Sequence, residues 1–133
     1  MNAPAATHAL DLLVVDDEVG MRDTLVAILE HHGHRVSSAP DGETAFSAIQ
    51  ETAFDVVIMD IRMPGRDGVS VLQEMGVPPP QVILMTAYAQ EERLRAAADA
   101  NAFAVLHKPF DTRRMLDLVA DANRLTHERS ATS

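Results

Sequence analysis

Four short apolar runs in this chain each end on a side chain that can handle charge or donate a hydrogen bond. Leu10–Asp16 (LDLLVVD) runs into the pair Asp16-Asp17, and Asp55–Asp60 (DVVIMD) ends on Asp60. Val82–Ala87 (VILMTA) carries Thr86 near its end, and Ala104–Lys108 (AVLHK) ends on Lys108. Singly, each has an ordinary role: an Asp or Thr after a strand caps a turn, and a Lys is solvated. Together, on four strands, they form a set with one chemistry. Crowded carboxylates repel one another and are relieved by a divalent cation. Oxygen-only ligands select a hard ion, Mg²⁺ first, with Mn²⁺ as the alternative. A carboxylate is also a nucleophile toward phosphorus, and it is already ionised at neutral pH, so no histidine base is needed. A cation and one lysine would neutralise phosphoryl oxygens, and a hydroxyl would donate to them.

These residues cooperate only if the fold gathers the strand ends. The pattern between them supplies that fold. Val19–His32 reads as a helix, with Leu25, Ile28 and Leu29 at helical spacing and Gly33 as its stop. His34–Ala39 is a weaker strand near a sheet edge, and Asp41–Thr52 a helix with Ala45, Phe46 and Ile49 on one stripe. Gly68–Met75 is a short helix closed by a loop over Gly76–Pro80, and Gln90–Ala100 a helix with a thin apolar face. Asp111 caps a last helix carrying Met115, Leu116, Val119 and Leu125. Five β-α units with near-continuous apolar strands predict one α/β domain, a doubly wound five-stranded parallel sheet covered on both faces. In such a sheet the ligand site lies beyond the carboxyl ends of the strands. That places Asp16, Asp17, Asp60, Thr86 and Lys108 on one rim.

The bulk properties narrow the classes. A chain of 133 residues suits one domain. The chain is expected to divide into a flexible tail (1–9), the domain itself (10–126) and a tail or linker start (127–133). With no cysteine, disulfides and thiolate zinc sites are excluded. No apolar run reaches the ~20 residues needed to cross a bilayer, and the N-terminus lacks a signal-peptide pattern. No membrane partner is expected, and the cytoplasm is the expected compartment. A formal net charge of -9 argues against direct nucleic-acid binding.

The segments LLVVDDE (Leu12–Glu18), DVVIMDIRMPGRDG (Asp55–Gly68), VILMTAY (Val82–Tyr88) and HKPFD (His107–Asp111), in that order, resemble the receiver domain of two-component response regulators. The resemblance covers about Leu10–Leu125. It implies a flavodoxin-like fold with strand order 2-1-3-4-5, an order for which this family already supplies a standard example. It implies that Asp60 is the phosphoacceptor. Asp17 is then a direct Mg²⁺ ligand, Asp16 acts largely through water, and the backbone carbonyl of Arg62 is a further ligand. Thr86 is the switch hydroxyl and Lys108 the phosphoryl contact, with Lys108-Pro109 a cis peptide. Ala87 is small enough to leave room for the phosphoryl group, and Arg62 and Tyr88 flank the site and tune the phosphoryl lifetime. Receivers are not conventional enzymes: they phosphorylate themselves from a donor and lose the group to water. The partners implied are a sensor histidine kinase or histidine phosphotransfer protein, and a downstream protein or covalently linked output domain. The readout face is made by the fourth helix, fifth strand and fifth helix, through which a homodimer is a further option.

The chain departs from the family pattern in three places. Val105 stands where Tyr or Phe is usual, so no ring can rotate there, and Tyr88 or Phe103 is the candidate substitute. Asn101 stands where glycine is usual and tolerates a left-handed backbone. The third helix and its loop are short. Two other readings compete. A receiver fold that binds a partner without phosphorylation usually lacks one of the five site residues, and all five are present here. An aspartyl phosphatase usually carries Asp-x-Asp on the first strand, where this chain has Asp16-Asp17-Glu18-Val19. His31 and His32 suit a helix C-terminus better than a metal. His107 is expected to point away from Lys108 by strand alternation, and Met59, Met63, Met85 and Met115 read as packing residues.

Overall fold

The structure is a computed structural model that describes residues 9–75, 80–88 and 93–132, with side chains described as far as Arg124. Its strands are β1 (Asp11–Val15), β2 (Arg35–Ala39), β3 (Val56–Asp60), β4 (Gln81–Thr86) and β5 (Ala104–His107). Its helices are α1 (Val19–His31), α2 (Gly42–Glu51), α3 (Gly68–Met75), α4 (Leu94–Asp99) and α5 (Thr112–Thr132). All strand pairs are parallel, in the order β2-β1-β3-β4-β5, as the apolar runs require.

Alternation along each central strand divides the core in two. Leu13, Val15, Val57, Met59, Val82 and Leu84 pack with residues of α2, α3 and α4. Leu12, Val14, Val56, Ile58, Ile83 and Met85 pack with α1 and α5 through Leu25, Leu29, Met115 and Val119. β3 and β4 are buried along their whole length, whereas edge strand β2 is exposed at Arg35, Ser37 and Ser38. The four methionines expected to be packing residues are all buried.

The ends of the elements follow local chemistry. Asp41 caps α2, accepting from Thr44 N at 2.7 Å, and that N–H holds the carboxyl below its usual 3.8. Asp67 caps α3 through Ser70 N at 2.8 Å, and Asp111 caps α5 through Arg114 N at 2.8 Å. Gly33 and Asn101 adopt the left-handed region, with φ of 91° and 68°. His32 Nδ1 meets the carbonyl of Ile28 at 3.0 Å at the end of α1. Among the described residues no histidine joins a metal-ligating group.

Two expectations need adjustment. The last helix does not give way to a tail at residue 127, because α5 continues to Thr132. The polar composition that suggests a tail is compatible with a solvated helix. The sequence pattern starts the fourth helix at Gln90, but the described helix begins at Leu94, and residues 89–92 lie outside the described residues. The expected N-terminal tail and most of the Gly76–Pro80 loop also lie outside them. Among the described residues, no helix is long and apolar enough to cross a membrane.

Candidate functional site: a carboxylate-lysine cluster at the carboxyl rim

Strand parity explains which side chains meet. Asp16 continues the Leu12-Val14 row, Asp60 the Val56-Ile58 row, and Lys108 the Ala104-Leu106 row. All three rows belong to the sheet face covered by α1 and α5. Lys108 Nζ donates to Asp60 Oδ2 at 2.7 Å and to Asp16 Oδ2 at 3.0 Å. The cluster is largely out of solvent: side-chain exposure is 1% for Asp16, 11% for Asp60 and 16% for Lys108. Asp17 is exposed beside them.

Backbone donors hold the carboxylates in place. Glu18 N donates to Asp16 Oδ1 at 2.9 Å, and Arg62 N donates to Asp60 Oδ1 at 3.2 Å. Burial opposes the Lys108 ammonium, but its bonds to Asp60 and Asp16 prevail and raise its pKa above 10.5. Burial, helped by the charge of Asp16, pushes the Asp60 carboxyl above 3.8 against the pull of Lys108. The lysine is therefore a fixed cation, and Asp60 a carboxylate kept poorly hydrated.

The donor set fits a hard divalent ion. One oxygen each from Asp16, Asp17 and Asp60 lies within 4.8 Å of the others. That spacing would let the three carboxylates gather around one small hard cation, directly or through its bound water. All the donors are oxygens, and three carboxylates against one lysine leave negative charge for a cation to balance.

Thr86 belongs to the opposite face, continuing the Val82-Leu84 row. It is 1% exposed. Its hydroxyl accepts from Tyr88 N at 3.0 Å and donates to Tyr88 O at 3.3 Å, so here it is engaged with its own loop. Val105 is half-buried against the same core as Leu84, its register partner. Phe103 packs on the other face, against the α1/α5 core. Tyr88 is 56% exposed, with the Arg62 guanidinium 5.1 Å from its ring centroid. Ala87 is exposed between Thr86 and Tyr88. The Lys108-Pro109 peptide is cis. His107 is exposed and shares the face of Val105, away from the carboxylates, as alternation requires.

Sequence reasoning passes over Arg22. Its Nη1 donates to the carbonyl of Asp16 at 2.7 Å, tying the first turns of α1 to the acidic loop. An arginine six residues after the first acid, on the helix that follows, is the pattern that could have revealed it.

A doubly wound parallel sheet thus gathers three aspartates and a partly buried lysine at its carboxyl rim. Residues 12–120 match the response regulator receiver domain, and the chain belongs to that family. It is therefore of the class of phosphoryl-accepting switches in two-component signalling. It is 35% identical over 124 residues to the transcriptional regulatory protein ZraR of Salmonella typhimurium, covering 92% of this chain and 28% of that protein. It is 37% identical over 131 residues to the regulatory protein AtoC of Escherichia coli, with shares of 92% and 28%. The chain thus spans little more than a quarter of these relatives. Among solved structures, a CheY-like receiver domain protein from Methanospirillum hungatei superposes with a TM-score of 0.87 at 25% identity, covering 92% of this chain and 99% of that one. NtrX from Brucella abortus superposes at 0.85 and 30%, covering 94% and 29%.

Proposed function

We propose that Asp60 is the phosphoacceptor of this receiver and that Lys108 and Thr86 serve it. The bridge from Lys108 Nζ to Asp60 at 2.7 Å and Asp16 at 3.0 Å carries the reading. It sets an ammonium where phosphoryl oxygens would lie. An Asp60 carboxylate oxygen attacks phosphorus in line. The P–O bond forms as the donor's bond to phosphorus breaks, and the donor, a histidine imidazole or a small leaving group such as acetate, departs with that electron pair. Lys108 turns from Asp60 to the phosphoryl oxygens. When bound, Mg²⁺ supplies further charge neutralisation; Asp17, Asp60 and the Arg62 carbonyl would hold it, with Asp16 acting through water. Later attack by water at phosphorus returns Asp60 and inorganic phosphate, and Arg62 and Tyr88, in contact with each other, would govern access of that water.

The readout is a bias between two arrangements of the β4-α4 loop. The Thr86 hydroxyl leaves Tyr88 for a phosphoryl oxygen, with the small Ala87 leaving it room, and the face of α4, β5 and α5 is reshaped. Val105 packs on that face without a ring, so the exposed Tyr88 is the aromatic group that reports the change. The partners are a histidine kinase or phosphotransfer protein upstream and a linked output domain or separate protein downstream, in the cytoplasm. Pairing of two copies through α4-β5-α5 is the self-association this face would support.

Acetyl phosphate with Mg²⁺, followed by intact mass, tests the acceptor. Wild type is expected to gain roughly 80 Da, one phosphoryl group, and Asp60→Asn to gain nothing. An unlabelled wild type sinks the proposal, and a labelled Asp60→Asn moves the acceptor elsewhere.

A further inference from the structure

The loop between β3 and α3 carries Asp60's neighbours and is pinned at two points by glycines. A Cβ at Gly68 would collide with the carbonyl oxygen of Asp60, and a Cβ at Gly42 would collide with the carbonyl oxygen of Arg66. Gly68 N also donates to the carbonyl of Ile61 at 2.8 Å. The first contact closes the loop on itself. The second presses its far side against the first turn of α2.

At that far side Arg66 spans three groups on two helices. Its Nε lies 3.2 Å from Glu43 Oε1 on α2, and its Nη1 lies 3.0 Å from Glu74 Oε1 on α3. Its guanidinium also covers the ring of Phe46 at 4.6 Å. The arginine side chain is only 24% exposed, whereas the two glutamates are 73% and 54% exposed. An isolated surface ion pair contributes little, but a planar guanidinium stacked on a ring, between two carboxylates and mostly out of solvent, has few rotamers open to it. Neither helix needs this residue to start, because α2 and α3 have their own caps in Asp41 and Asp67. The loop between them is what the residue holds.

We propose that Arg66 is a positioning residue for the phosphorylation site. By locking the far side of the β3-α3 loop onto α2 and α3, it fixes the Arg62 backbone, whose N–H holds Asp60 Oδ1 and whose carbonyl would be a ligand of the cation. This rests on the proposed role of Asp60 and its cation site, and extends it to a residue outside the cluster. Groups that orient metal ligands from behind commonly change metal affinity by about 10–100-fold. A loosened loop is expected to weaken the cation by about tenfold.

Charge alone makes the opposite prediction. Arg66→Met removes a positive charge while keeping an apolar contact to Phe46, and a more negative domain attracts a cation more strongly. The experiment is titration of wild type, Arg66→Met and Arg66→Gln with Mn²⁺. Unbound Mn²⁺ is read by electron paramagnetic resonance at near-physiological salt, with melting temperatures recorded in parallel. Both variants are expected to bind Mn²⁺ about tenfold more weakly, and Arg66→Lys to recover part of the loss. Unchanged or tighter binding by a folded Arg66→Met overturns the proposal. Should Arg66→Met not fold, Arg66→Gln, which removes the same positive charge, decides it in the same way. A wild type that binds no Mn²⁺ would refute the cation site itself and so is told apart from a failure of Arg66.

Discussion

Lys108 is the residue on which the site's electrostatics turn. It shields two buried carboxylates from each other, and taking it away leaves both without a counter-charge. Breaking a buried pair by removing one partner costs about 3–5 kcal/mol, because the remaining charge stays desolvated. Lys108→Ala is therefore expected to lose about 3 kcal/mol in urea unfolding without metal, and to regain part of that in millimolar Mg²⁺. Equal stability with and without Lys108 would show that the carboxylates are better hydrated than their burial indicates. Asp60→Asn should behave oppositely. It removes one of three crowded carboxylates and keeps an acceptor for Arg62 N–H, so its melting temperature in metal-free buffer should match or exceed that of wild type. A clear drop in melting temperature would contradict this account.

Elements decide how the site is held and how it is read. The α3 start rests on the backbone of Asp60 at Gly68, where a side chain has no room. Gly68→Ala should cost about 1–3 kcal/mol in urea unfolding, the range for overpacking, and should slow acetyl phosphate labelling by displacing Asp60. Retention of both stability and labelling rate would mean that the contact relaxes freely. On the readout side, Thr86 and Tyr88 are joined through two hydrogen bonds. The chain has one tyrosine and no tryptophan, so its emission reports Tyr88 alone. Phosphorylation should change that emission in wild type and much less in Thr86→Ala, which still accepts the group. An equal change in both would disconnect Thr86 from the loop.

At the scale of the whole molecule, a pH-sensitive joint away from the site ties two strand starts together. His34 Nδ1 accepts the N–H of Leu10 at 3.2 Å, joining the start of β2 to that of β1. Burial, aided by the positive charge His32 can carry, holds its pKa below 6.5. The folded state therefore binds this proton less readily than the unfolded chain. The resulting stabilisation is complete above about pH 6.5, the unfolded value, and is lost as pH falls through the lowered folded value. Stability measured from about pH 7.5 down to about 5.5, a window that brackets the unfolded value, should fall less steeply in His34→Asn, whose amide oxygen replaces the acceptor without titrating. Identical slopes would remove His34 from the pH response.

The sequence alone determined the class of fold, because continuous apolar runs of strand length alternating with helical stripes bury themselves only as a covered parallel sheet. It also supplied the candidates for the site. The residues that end those runs must share the carboxyl rim of any such sheet, and the order of the motifs matched a known family. What it could not supply was mutual orientation. Asp16 and Lys108 are 92 residues apart, and their 3.0 Å contact exists only because the strand order and register bring both to one face. The same alternation turned Thr86 to the other face, so it bonds Tyr88 instead of meeting Asp60. Arg66 escaped notice for the same reason: its partners Glu43, Phe46 and Glu74 lie on other elements, and contacts between elements leave no periodicity in the chain. The extent of α5 was misjudged because polar composition describes exposure and says little about helicity. Local pattern fixes which side chains a strand end or helix face presents, but the packing of several elements together decides what those side chains touch.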